Sequence, residues 1–204
     1  MNFWIQGLLL GFAYVAPIGM QNLYVIQSAI QFKRFKAMQI AWITIFFDIT
    51  LALACFMGMG LVLEKFPSLK MAVLLIGSIL VGYIGISLIR AKIDVNENTK
   101  KIEKSIIKNI ANCFVVTWLN PQAIIDGTLL LGGFRASLEP NEAKLFIFGM
   151  CLASFLWFQF LSLGVSLFKK KLNSNFLKVI NVICGSLLIF YSVKLLYTFI
   201  INAF

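Results

Sequence analysis

Histidine is absent from this chain. Its absence removes the side chain that titrates near neutral pH, the commonest metal ligand and the usual general base. Charge is scarce too: 13% of residues are charged and only 8 are acidic, where a soluble domain carries about a quarter charged residues. Cysteine occurs four times, at Cys55, Cys113, Cys151 and Cys184, widely spaced and with no CxxC pair. This argues against a thiol-redox protein and reads as four small core residues. No Ser/His or Cys/His dyad can be assembled, no carboxylate pair falls in a soluble segment, and the glycines form no phosphate-cradling motif. Neither an enzyme, a metal site nor a cofactor is expected.

What the chain has is apolar sequence. Of its 204 residues 60% are hydrophobic, with mean hydropathy +0.91. That describes a single-domain, all-α integral membrane protein with little mass outside the bilayer. A spanning helix needs about 20 apolar residues, so the length allows six spans. They are predicted over residues 3–30, 37–63, 71–89, 110–131, 145–168 and 176–201, with a short turn at 64–70 and a loop at 132–144. The start lacks a basic n-region and a small-residue cleavage site, so it is not read as a signal peptide. Residues 90–108 form the one long polar linker, between three-span units at 1–89 and 109–204.

Basic residues explain the net charge of +10. Thirteen of the 18 Lys and Arg fall in or just beside the first, third and fifth inter-span segments, counting Lys178 at the start of span six, and four in the second and fourth. Lys194 lies within span six, where its stem can snorkel outward or its ammonium can pair with an acidic residue. The alternation follows the positive-inside rule, placing the basic loops in the cytoplasm and both termini outside. It is a topology signal and not a nucleic-acid surface. Three spans per half make the halves enter from opposite sides, so homologous halves would form an inverted repeat.

Two apolar spans are interrupted. The first holds Ala16-Pro-Ile-Gly-Met-Gln-Asn22, and the fourth Trp118-Leu-Asn-Pro-Gln-Ala-Ile-Ile-Asp126. Proline cannot donate its backbone bond and clashes with the preceding turn, so helices break at Pro17 and Pro121. Freed backbone groups survive at membrane depth only inside protein or beside a watery cavity. Freed N–H groups favour a carboxylate and freed C=O groups a cation. An amino acid carries both charges, so two facing breaks suit it. Gln21, Asn22, Asn120 and Gln122 add side-chain donors and acceptors.

Two carboxylates lie at membrane depth, Asp48 and Asp126, and such groups mark pathways. Thr44, Asp48, Ala52, Cys55 and Met59 follow at helical spacing as a small or polar stripe, expected to face the bundle interior. A carboxylate exposed alternately to both sides can exchange a proton for a cationic substrate, so both are proton-coupling candidates. Ser78, Gly82 and Gly85 read as a close-packing face.

On these residues the chain resembles the LysE family of amino-acid exporters, in its lysine/arginine branch. The resemblance covers nearly the whole length and rests on Pro17-Ile-Gly-Met-Gln-Asn22, Asp48 and Trp118–Asp126. It implies six spans in a bacterial inner membrane and export of cationic amino acids driven by an ion or voltage gradient. It carries substrate roles onto Pro17, Gln21, Asn22, Asp48, Asn120, Pro121 and Asp126. Met20 stands where relatives typically have a second proline, and Gln122 where they often have histidine. The expected mechanism is alternating access, with the substrate carboxylate at Asn22 and Asn120 and its cation at Asp48 and Asp126. Rival readings are another solute, either a neutral amino acid or a divalent cation, and a non-transporting scaffold. The partners expected are a small-molecule substrate and lipid, with no nucleic acid; a homo-oligomer is left open.

Overall fold

The computed structural model describes residues 2–58, 62, 65–90, 106–135, 138–169 and 174–203. They are almost entirely helical: α1 (Phe3–Val15), α2 (Met20–Gln31), α3 (Arg34–Phe56), α4 (Pro67–Ile89), α5 (Ile106–Trp118), α6 (Pro121–Gly127), α7 (Pro140–Phe168) and α8 (Ser174–Ala203). After α6 the chain continues through a π-helical turn, Thr128–Gly132, and a last turn, Gly133–Arg135. Four helices are long and apolar enough to cross a membrane, and up to six spans result if each of two bent pairs counts as one. Of those pairs, α1 and α2 meet at 76°, and α5 and the segment after Asn120 at 61°.

Several boundaries differ from the hydropathy reading, each for a local reason. The second span was expected to reach residue 63, but α3 ends at Phe56 because Gly58 takes φ 94°. Glycine adopts this left-handed conformation without the Cβ penalty, and it stops a helix. Residues 64–70 do not form a turn throughout, since Pro67 opens α4; proline fits a first helical position, where its missing N–H costs nothing. Likewise the expected 132–144 loop shortens to the stretch before Pro140. There Glu139 and Glu142 cap α7 reciprocally, with Glu142 Oε2 accepting from the Glu139 N–H at 2.8 Å. Most of the linker, residues 91–105, lies outside the described residues, as does Met59 of the polar stripe.

The helices pack through small residues. A Cβ on Gly7 or Gly149 would collide with backbone of the facing helix, so α1 and α7 lie backbone to backbone. In α4, Gly82 faces Ser192 and Gly85 faces Gly185, and Ser192 Oγ donates 2.8 Å to the Ser78 carbonyl. This is the expected close-packing face. Lipid is as apolar as leucine, so close approach and interhelical hydrogen bonds replace a hydrophobic drive between spans. Large apolar side chains such as Phe35, Phe46, Leu129, Phe160 and Tyr197 are exposed, while Asn22, Asp48, Thr44, Thr117 and Ser154 are buried. A bilayer reverses the cost of exposing the first set and makes burial of the second obligatory.

Candidate functional site

The first break lies between α1 and α2, at Ala16-Pro-Ile-Gly19. Its freed carbonyls have partners. Asn22, on the first turn of α2, turns its amide back and donates 2.9 Å to the Val15 carbonyl and 2.7 Å to that of Pro17. Trp157 of α7 donates 2.9 Å to Asn22 Oδ1. Tyr191 of α8 donates its hydroxyl to the Ile18 carbonyl at 3.1 Å. Both amide hydrogens of Asn22 are thus engaged in building the break.

The second break is shorter. Asn120 is the N-cap of α6, and its side chain accepts from the Ala123 N–H at 3.4 Å. Asparagine suits this position because its oxygen satisfies a donor that the first turn leaves orphaned. Trp118 anchors the break to α3 by donating 3.3 Å to Thr50 Oγ1. Pro121 and Gln122 open α6, and their side chains lie outside the described set.

Asp48 sits between the two breaks and is 0% exposed. Ser154 of α7 donates 2.6 Å to its Oδ2, within the range of a charge-assisted O–H···O bond. Gln21, the second residue of α2, donates 3.2 Å to its Oδ1 and 3.1 Å to Thr117 Oγ1. Thr117 is the penultimate residue of α5, just before the second break. One amide therefore ties the start of α2 and the end of α5 to one buried carboxylate. Among the described residues both of its hydrogen-bonding partners are neutral. A buried charge without an opposite charge is expensive, so the site is electrostatically suited to an incoming cation. Thr44, Ala52 and Cys55 are buried on the same face of α3, as their spacing indicated.

The family described as LysE type translocator matches residues 12–198. This chain belongs to that family. It is therefore a membrane translocator and not an enzyme. Among its relatives are proteins named arginine exporter protein ArgO. That of Shigella flexneri is 27% identical over 198 residues, covering 95% of this chain and 93% of the relative. That of Escherichia coli strain K12 is 28% identical over 198 residues, with the same coverage. That of Enterobacter sp. strain 638 is 28% identical over 199 residues, covering 96% and 93%. No solved structure matches.

In this LysE-type translocator the second carboxylate is placed differently from the first. Asp126 is exposed on α6, whereas Asp48 is sealed. Among the described residues the hydroxyl of Tyr14, on α1, is buried without a hydrogen-bond partner. A Cβ on Gly127 would come within 2.9 Å of Cys55 Sγ and 3.2 Å of the Tyr14 ring, so α6 lies directly on these two side chains. Lys194 is exposed on α8. No three His, Cys, Asp or Glu among the described residues form a metal-holding group. Ser154, Thr117, Tyr14 and Trp157 were not singled out from sequence, since a lone serine or tryptophan in a span carries no local signal. Pro17 is exposed at the turn.

Proposed function

We propose that this translocator exports cationic amino acids, L-arginine and/or L-lysine, across a bacterial inner membrane by alternating access, driven by the proton or voltage gradient. One observation carries the proposal: Gln21 joins the start of α2 and the end of α5 to the buried carboxylate of Asp48. The substrate cation pairs with Asp48. The Tyr14 hydroxyl and Asp126 serve as further polar groups for the same substrate. Asn120 caps α6, aiming the freed N–H groups of its first turn at the substrate carboxylate. Gln122 stands next to them, and Pro17 and Pro121 keep the half-helices apart. Asn22 acts by holding the first break open. On cation release, Asp48 or Asp126 takes up a proton for the return step. The ArgO names of the relatives support arginine as substrate.

The same reading treats the chain as one transmembrane domain of six spans in two inverted units, 1–89 and 109–204, with the basic linker and basic loops cytoplasmic and both termini outside. The packing supports it. Helix α1 lies on α7 as α5 lies on α3, and α4 lies on α8, the exchange that a two-fold axis in the membrane plane would make. The deciding assay is efflux of labelled arginine and lysine from cells or vesicles. Wild-type rates from Asp48→Asn would sink the mechanism, and a protein that moves neither solute would sink the function.

A further inference from the structure

At the far end of α2 the helix leaves carbonyls without intrahelical partners, as every helix does. Lys169, just past the end of α7, fills this gap. Its Nζ donates 2.7 Å to the Ala29 carbonyl, 3.5 Å to that of Ile30, and to that of Phe32. Three converging carbonyls at the negative end of a helix dipole make a cation site. Its occupant here is a primary ammonium on an aliphatic stem. Beside it is a half-open cavity of about 330 Å³ between α2 and α7, with the exposed Phe160 and Phe168 at its mouth. Ile26, Ile30, Leu161 and Val165 line it, and it runs from Lys169 to Trp157, the residue that holds Asn22 at the first break. Along α7, Lys169 lies roughly 22 Å from Ser154 at 1.5 Å per residue.

We propose that the Ala29, Ile30 and Phe32 carbonyls form an entrance subsite for the ammonium or guanidinium of the exported amino acid, with Lys169 as a tethered occupant that the substrate displaces. This rests on the cationic-substrate reading above. The apolar cavity takes the aliphatic stem, and a guanidinium, with its five donors in one plane, engages three carbonyls at least as well as the ammonium does. Occupying the subsite loosens the tie between α2 and α7, so cation arrival and movement of the first break become one event.

Gly164 provides the reporter, because it lines the cavity and a Cβ there meets nothing within 4 Å. In inside-out vesicles, labelling of the thiol introduced by Gly164→Cys is followed with an impermeant maleimide. Arginine should slow labelling about tenfold and its neutral isostere citrulline should not, the factor expected for a charge-assisted hydrogen bond. Lys169→Met should lower the arginine concentration needed for protection by a similar factor. Equal protection by arginine and citrulline, protection by neither, or an unchanged concentration in Lys169→Met overturns the subsite. A measurement on the unaltered protein covers the case in which Lys169→Met does not fold. Acetylation of Lys169, read by mass spectrometry, should accelerate with methylguanidinium and not with methylurea, and equal effects again overturn the proposal. Arginine efflux by the unaltered protein is scored separately. Efflux without cation-selective protection removes the subsite alone, whereas absent efflux removes the exporter reading.

Discussion

The two breaks solve one backbone problem in opposite ways. At the first, the chain turns 76° and distant side chains meet the freed carbonyls: Asn22 from the next helix, Trp157 behind it, and Tyr191 from α8. At the second, the turn is 61°; Asn120 caps α6 locally, Trp118 is tied to Thr50 of α3, and the Cys55 thiol donates 3.5 Å to the Ile124 carbonyl. The carboxylates follow the same division, Asp48 sealed beside the first break and Asp126 exposed after the second. The first break is pre-built scaffold beside a buried carboxylate. At the second, an orphaned N–H is met from the residue that opens the half-helix, Asn120.

Substitutions can break this comparison. The largest effect is expected at Asp48: Asp48→Asn should cut arginine efflux by about a hundredfold, because it removes the charge partner of a desolvated cation. Asn22→Leu comes next. It leaves two carbonyls and the Trp157 N–H without partners, and should cost about 2 kcal/mol or more in unfolding measured in detergent. Asp126→Asn should slow efflux by no more than about tenfold, since an exposed carboxylate contributes less than a buried one. The smallest change is expected from Asn120→Ala, which removes one N-cap and should cost about 1 kcal/mol. If Asn120→Ala destabilised the protein as much as Asn22→Leu, the contrast between the breaks would be wrong. If Asp126→Asn matched Asp48→Asn, the two carboxylates would share one role.

Much of this arrangement was legible in residues. Pro17, Pro121 and Asp48 announce themselves because proline and aspartate are out of place in a span. Asn120 was legible as a polar group beside a break, and the structure adds that it caps α6. The ends of the helices were legible in principle as well. Gly58 and the Glu139-Pro140-Asn-Glu142 box are local stop and start signals, which a hydropathy window averages away. Ser154, Thr117 and Trp157 were not legible. Each acts on a partner 96 to 135 residues distant, and nothing within a turn of them reveals it.

By itself the sequence determined the class of molecule, the family resemblance and the places where helices must fail. A bilayer obliges each segment to satisfy its own backbone, so those features are decided within a few turns of chain. Only the tertiary structure decided which carboxylate is sealed, which amide spans the two breaks and which lysine occupies the end of α2. Those outcomes depend on which helices lie side by side, and the composition of a single helix does not contain that choice.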